Sequence, residues 1–397
     1  MSINIFFITL FFIISIPGLY YNYIATTSYA MGALISSLSI CFIYLLKYKK
    51  IVIEKNYFSI FNILILILII SLYSMILSDW FEYMRFLQSY FLIMIYIIAS
   101  ILFVTLSKKI GDEKVYNIIN IIFFILVIDG LYILFKVIFF TSKNKATIFF
   151  PEISHFSLIF LSFLLFKLLT SKKNFQSILW IFISLVFSLV IENTTLLVGT
   201  ILAMIIYSTK KTLLLFIIPV ILVTYFLGTD FLIYFIDRMN FFEPNNLSTL
   251  VFLSGWERAY LNLLESNFFG IGFNQLGMNG LIGFYQSQIE IIYGLPKLNL
   301  LDGGSLAPKI ISELGIFGIV FNLIYLFFFF KIIFKIKTYN LRANYLDIFY
   351  ISSFLMASLS LYVRGSGYFS PAIFLYISSF IYIYLSRYKS KDSNIFK

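Results

Sequence analysis

The side chains best placed to do chemistry lie in the one long polar interruption of an otherwise apolar chain. There, Arg258 falls on a predicted helix that begins near Ser254 or Gly255 and ends before Gly270. Gly270 and Gly272 permit a tight turn that a side chain would block, so the backbone there can approach a ligand closely. The pattern predicts an anion-binding arginine beside a ligand-binding turn. The alternative is an interfacial helix that lies flat on its aromatic face.

Acids, arginines and one histidine also cluster near the predicted ends of helices, facing a single aqueous side. A carboxylate such as Glu152, Asp302 or Glu313 can accept the proton that an attacking hydroxyl sheds, or can orient that hydroxyl. His155 can do the same, although it can equally be a structural hydrogen-bonding residue. Ionisable groups at a membrane boundary are costly and often mark a substrate path. As a set these residues predict a site, while any single one of them can be a solvated loop charge.

Composition indicates which elements must position these groups. Hydrophobic residues make up 61% of the chain and charged residues only 12%, which is typical of an integral membrane protein. Apolar runs of about 17–25 residues recur, and each is long enough to cross the hydrocarbon of a bilayer. We predict an all-α polytopic bundle of about twelve transmembrane helices. Their predicted ranges are 3–21, 28–46, 57–77, 86–106, 116–140, 154–170, 178–192, 194–209, 212–228, 310–332, 345–363 and 370–386.

Charge placement predicts the topology of this bundle. With a cytoplasmic N-terminus and simple alternation, most of the 29 basic residues fall in inner segments, as the positive-inside rule requires. The net charge of +11 therefore needs no nucleic-acid partner. Residues 1–397 are predicted to form a single membrane domain with both termini in the cytoplasm, and residues 229–309 a large extracytoplasmic loop between the ninth and tenth helices. No cleavable signal is predicted, and the lone Cys41 offers neither a disulfide nor a cysteine metal site.

The order of several short motifs resembles one family. Arg258 followed by Gly270-Ile-Gly272, and then by Glu313-Leu-Gly315-Ile-Phe-Gly318 at a helix start, resembles the O-antigen polymerase and ligase superfamily. Upstream, Phe150-Pro-Glu152-Ile-Ser-His-Phe156 resembles the Glu-Pro-Ser-x-Phe element of the polymerases, with the proline before the glutamate instead of after it. Arg364-Gly-Ser-Gly-Tyr368 lies where polymerases often have a further outer arginine.

The resemblance implies a glycosyltransferase C-like fold and an enzyme of a bacterial cytoplasmic membrane. Such an enzyme joins polyprenyl-diphosphate-linked glycan units on the outer face, for O-antigen, capsule or another exopolysaccharide. Arginines would bind the diphosphate and stabilise the leaving group, while a carboxylate takes the proton of the acceptor. The residues implicated in catalysis are Arg258, Glu313, Glu152 and Asp302. Those implicated in substrate binding are Arg364, Arg238, Arg85, His155, Gly270, Gly272 and Asn274.

Neither a metal nor another cofactor is expected. The chain has no Asp-x-Asp motif, and it has only one histidine. A sugar linked to a lipid diphosphate is already activated, because the diphosphate is a good leaving group. Ligases resemble a pattern with His-Asn shortly before the Glu-x-Gly-x-x-Gly motif, where this chain has Gly304-Ser305, which favours a polymerase. Expected partners are the lipid-linked oligosaccharide, membrane lipid, a chain-length regulator and a flippase. The alternatives are a divergent ligase and a polysaccharide flippase or other transporter, whose ionisable residues usually lie near the membrane midplane.

Overall fold

The structure is a computed structural model that describes residues 3–24, 29–50, 57–78, 80–140, 146–171, 174–208, 230–338 and 344–389. Every named element in these ranges is a helix, which confirms the all-α prediction. The helices are α1 (Ile3–Tyr23), α2 (Ala30–Tyr48), α3 (Phe58–Leu77), α4 (Tyr83–Ser107), α5 (Asp112–Phe140), α6 (Ile153–Thr170), α7 (Asn174–Val190), α8 (Thr194–Tyr207), α9 (Asp230–Met239), α10 (Leu247–Glu265), α11 (Phe284–Tyr293), α12 (Leu306–Leu314), α13 (Ile316–Thr338), α14 (Tyr345–Tyr362) and α15 (Pro371–Lys389).

Eight of the described helices are long and apolar enough to cross a membrane, namely α1 to α6, α13 and α14. Three further helices, α7, α8 and α15, carry shorter apolar stretches, at Phe175–Val190, Thr194–Tyr207 and Pro371–Tyr384. These lengths and compositions are those of a multi-pass membrane protein. The predicted segment 212–228 lies outside the described residues, so the total of about twelve transmembrane helices stays a prediction.

Helices α6 and α14 form the centre of the bundle. They pack against each other, are apolar on all sides, and bury nearly all of their side chains. A helix without a polar face belongs in an interior. By contrast, only 33% of the apolar stretch of α3 and 28% of that of α13 is buried, as expected of helices that face lipid.

One predicted helix, 310–332, is wrong as a continuous element. The chain breaks at Gly315 into α12 and α13. Gly315 has a φ of +58°, and a Cβ there would lie 2.1 Å from the carbonyl oxygen of Phe268. A distant segment therefore docks at this glycine and ends α12, which an apolar run alone does not reveal.

Residues 230–314 fold into α9 to α12 and their connections, here called the cap. Helix α10 packs on α11 and α12, and α12 contacts α3, α13 and α14 of the bundle. The predicted start of α10 at Ser254 or Gly255 is wrong, because Asn246 caps the helix by accepting from the Ser248 N–H at 2.9 Å. Gly255 instead lies within α10, where a Cβ would fall 2.0 Å from the Gly303 carbonyl oxygen.

Candidate functional site

Two cavities lie between the cap and one end of the bundle, where α14 ends and α6 begins. The larger has a volume of about 780 Å³ and the smaller about 400 Å³. Pro151, Glu152 and Arg364 line both of them. The two cavities are therefore neighbours that share one wall.

The smaller cavity collects most of the predicted site residues. Six of them line it: Arg85, Glu152, His155, Asn274, Asp302 and Arg364. The larger cavity adds Arg238 to Glu152 and Arg364. Four predicted residues line neither cavity, namely Arg258, Gly270, Gly272 and Glu313. The predicted residues that line a cavity can thus touch a ligand, whereas those that line neither can act only through other residues.

Asn274 makes hydrogen bonds to several side chains around the smaller cavity. Its backbone adopts the left-handed conformation, with a φ of +56°. Arg85 donates from Nε to the Asn274 carbonyl oxygen at 2.7 Å, and Lys309 donates from Nζ to Asn274 Oδ1 at 3.2 Å. The side-chain nitrogen of Asn274 donates to Ser89 Oγ at 2.5 Å. One asparagine thereby fixes two cations that sequence alone places far apart.

Glu313 fixes the position of Asn274 from the side away from the cavity. Its fully buried carboxylate accepts from the Asn274 N–H at 2.8 Å, the Leu276 N–H at 3.1 Å and the Tyr368 hydroxyl at 2.6 Å. Burial raises the pKa of Glu313, while Lys309, 3.9 Å away, and these hydrogen bonds act in the opposite direction. A carboxylate so enclosed has no access to a substrate hydroxyl. The geometry favours a positioning role over the proton transfer predicted for Glu313.

The two glycine motifs of the sequence are the two halves of one structural unit. The Ile271 N–H donates to the Ser312 carbonyl oxygen and the Gly272 N–H to the Glu313 carbonyl oxygen, each at 3.0 Å. Gly270 has a φ of +88°, and a Cβ there would lie 2.5 Å from that same Glu313 oxygen. Gly270 and Gly272 thus serve to dock the loop on α12, and the loop in turn presents Asn274 to the cavity.

Replacement of Gly270 with alanine should destabilise this unit strongly. Left-handed strain costs about 1–2 kcal/mol and the backbone clash about 1–3 kcal/mol more. Gly294→Ala is a matched control, because Gly294 also has a positive φ of +66° but nothing lies within 4 Å of its would-be Cβ. Thermal unfolding in detergent should show a clearly larger drop in Tm for Gly270→Ala. Equal drops for the two variants would mean that the docking contact contributes little.

Arg258 lies inside the cap, away from both cavities. Only 2% of its surface is exposed, and Nη1 donates to the Leu300 carbonyl oxygen at 2.8 Å. Burial lowers the pKa of Arg258 to about 10, although Glu313 acts in the opposite direction. Its contact with Leu300 steadies the segment that leads to Asp302, so the structure offers Arg258 as a support for the smaller cavity.

Glu152 and Arg364 form an ion pair in the shared wall. Arg364 Nη2 donates to Glu152 Oε2 at 3.3 Å, and Ser154 Oγ donates to the same oxygen at 3.0 Å. Burial by itself would raise the pKa of Glu152, but the neighbouring His155 and Arg364 outweigh it and hold that pKa below its usual value. Glu152 is therefore ionised at neutral pH.

His155 lines the smaller cavity, but its Nδ1 atom is already engaged. It shares a hydrogen bond of 2.7 Å with the Tyr29 hydroxyl, and the two rings meet edge to face with centroids 5.1 Å apart. This tie between α6 and the start of α2 matches the structural interpretation that the sequence left open for His155.

Arg238 reaches the larger cavity from α9. Its guanidinium stacks over the Tyr234 ring, 4.2 Å from the centroid, and Nη1 donates to Thr194 Oγ1 at 3.3 Å. Its Nε atom has no hydrogen-bond partner among the described residues. The walls around it are largely apolar and include Val198, Phe241 and Phe252. The larger cavity thus combines a cation with a largely apolar lining.

Sequence reasoning did not assign site roles to Lys309, Tyr29 or Tyr368, which all line the smaller cavity. The spacing of Lys309 and Glu313 is one available signal, since residues four apart share a helix face. Tyr29 and Tyr368 carry no such signal, because their partners come from distant segments. In the part of the chain that the structure describes, no group of three or more histidine, cysteine, aspartate or glutamate side chains is placed to hold a metal ion.

Comparison with family models, with curated proteins and with solved structures finds no match to this chain.

Proposed function

We propose that this protein is a metal-independent oligosaccharide repeat-unit polymerase that joins polyprenyl-diphosphate-linked glycan units on the outer face of a bacterial cytoplasmic membrane. One observation carries the proposal: two cavities at one end of an apolar helix bundle meet at a wall that holds both an arginine and an ionised carboxylate. A glycosyl transfer from a lipid diphosphate needs those two functions at one point. A cation must stabilise the departing diphosphate, and a base must accept the proton of the attacking hydroxyl.

The pair of cavities supports a transferase over a transporter. A polymerase holds two glycans at once, so two adjoining cavities suit it. The charged residues of both cavities lie at helix ends or in the cap, whereas transporters place theirs near the midplane, between broken helices. Gly304-Ser305 in place of a His-Asn pair favours a polymerase over a ligase.

Arg364→Ala tests this function in cells. In a strain that lacks the gene, we expect wild-type protein to restore long surface glycans. The variant should leave mostly single repeat units, because one missing charge-stabilising donor typically costs about 10²–10³-fold in rate. A gel of surface glycans, together with the amount of protein in the membrane, measures both effects.

Lys297→Ala is the control, since Lys297 is an exposed cap cation that lines neither cavity. It should restore glycans of normal length. Normal chain lengths with Arg364→Ala would remove Arg364 from the mechanism. Loss of all surface glycan, with lipid-linked units trapped on the cytoplasmic side in the gene-deleted strain, would identify a flippase instead.

A further inference from the structure

We propose that the Glu152–Arg364 ion pair separates two substrate sites and that Arg364 can exchange Glu152 for a substrate group. The diphosphate of a lipid-linked donor in the larger cavity takes the place of Glu152 on Arg364, and the released carboxylate then serves the acceptor sugar in the smaller cavity. This inference rests on the polymerase function proposed above and assigns each cavity its substrate.

The position of the pair is the first argument. Glu152 and Arg364, with Pro151, are the lining residues that the two cavities have in common. Glu152 comes from the start of α6 and Arg364 from the segment after α14, so one bond joins two separate elements across the wall. A group that takes Nη2 of Arg364 from one cavity therefore displaces Glu152, which also faces the other.

The larger cavity suits a lipid-linked donor. Its volume of about 780 Å³ and its largely apolar walls accommodate an amphiphile, and the Arg238 side chain that lines it supplies a cation for the diphosphate. Nearby, α8 exposes Ile201 and Ile205, and α9 exposes Ile233 and Ile236. These apolar side chains provide a surface along which a polyprenyl tail can lie outside the cavity.

The smaller cavity suits the sugar of an acceptor. Its cations Arg85 and Lys309 already donate to Asn274, and Lys309 also donates to the Leu301 carbonyl oxygen at 2.5 Å, so part of the hydrogen-bonding capacity of both cations is used within the protein. Its remaining lining includes the Tyr21 ring and the carboxylate of Asp302. Aromatic rings and carboxylates together are the groups that bind the apolar faces and hydroxyls of a sugar.

The energetics permit the exchange. The Glu152 side chain is 53% exposed and that of Arg364 26%, so water screens the pair and its net stabilisation is small. A diphosphate carries more charge than a carboxylate and binds an arginine through two parallel hydrogen bonds. Once Arg364 turns to the diphosphate, Glu152 loses a contact that lowers its pKa and becomes a stronger base.

The glycosyl transfer then takes place beside the Glu152–Arg364 pair. The acceptor hydroxyl oxygen forms a bond to the anomeric carbon of the donor as the bond from that carbon to the diphosphate oxygen breaks. The hydroxyl proton passes to the Glu152 carboxylate. The bonding electron pair leaves with the polyprenyl diphosphate, whose charge Arg364 and Arg238 stabilise.

Binding of geranylgeranyl diphosphate to the purified full chain in detergent tests the exchange. Glu152→Gln removes the competitor for Arg364, so it should tighten binding by about two- to fivefold, the range expected from an exposed ion pair. Arg364→Gln should weaken binding. Glu290→Gln, at an exposed cap residue that lines neither cavity, is the matched control and should leave the dissociation constant unchanged. Unchanged or weaker binding by a folded Glu152→Gln variant would overturn the exchange.

The same probe tests the assignment of the cavities. Arg238→Gln should weaken binding several-fold, because Arg238 lines only the larger cavity, whereas Asp302→Asn should not, because Asp302 lines only the smaller one. The opposite result would place the donor in the smaller cavity and end this proposal. A wild-type protein that does not bind the probe at all would instead refute the proposed function itself. Thermal unfolding of each variant separates a lost site from a lost fold.

Discussion

Glu152→Gln is expected to slow polymerisation by about 10²- to 10⁴-fold, the usual contribution of a general base. Glutamine keeps the size of the side chain and can still accept from Ser154, so the fold should persist. The half-exposed position of Glu152 supports this, because its loss creates no buried unpaired group. Turnover of a lipid-linked repeat unit by purified protein, with Glu290→Gln as the control, measures the effect.

The pH dependence of kcat and of kcat/KM should show whether the Glu152 carboxylate is released from Arg364 by donor binding or is free throughout. With His155 and Arg364 beside it, the pKa of Glu152 is held below its usual value of 4.5, so the carboxylate stays ionised until the pH falls below that value. The acid limb of kcat/KM reports this free enzyme, while the acid limb of kcat reports the substrate complex. Since the donor removes Arg364 from Glu152, the limb of kcat should lie at higher pH than the limb of kcat/KM.

Two outcomes would contradict this reasoning. If both limbs fall at the same pH, Glu152 keeps its partner during the reaction and the exchange does not occur. If Glu152→Gln retains most of the wild-type turnover, the proton goes elsewhere. Asp302 is then the next carboxylate to test, because it also lines the smaller cavity.

Much of the fold could be predicted because apolar runs in this chain end sharply. The predicted ranges 57–77 and 345–363 differ by one residue from α3 (Phe58–Leu77) and α14 (Tyr345–Tyr362). A membrane-spanning helix is specified by its own composition, so local sequence suffices. The break at Gly315 was missed because its cause is the docking of the Phe268 carbonyl oxygen, a contact that no local pattern contains.

The candidate site was predictable only as a set of residue types. Sequence reasoning placed Arg258 in catalysis and Arg364 in substrate binding, yet Arg364 lines both cavities and Arg258 lines neither. What separates them is the packing of α10 against the rest of the cap, which buries one face of that helix. The aromatic face that the sequence predicts for this helix, by contrast, is partly exposed: Tyr260 is 62% exposed, while the polar Asn262 is fully buried. Tertiary packing thus decides which side of α10 is buried.

Arg258→Ala should therefore lower stability together with activity. The change leaves a void around a fully enclosed side chain and removes the donor to the Leu300 carbonyl oxygen. Such losses typically cost about 2–4 kcal/mol. We expect a clear fall in Tm in detergent, less protein in the membrane, and shorter surface glycans as a consequence.

Arg258→Met distinguishes support from catalysis, because methionine restores much of the volume but none of the charge. If Arg258 supports the cap, this variant should be more stable than Arg258→Ala and should recover part of the glycan length. Replacing a buried charge with an apolar side chain of similar volume is often tolerated, which makes the recovery reasonable. A stable Arg258→Met protein that makes only single repeat units would mean that the charge itself acts on the substrate. That result would require the cap to open and bring Arg258 to a cavity that it does not line here.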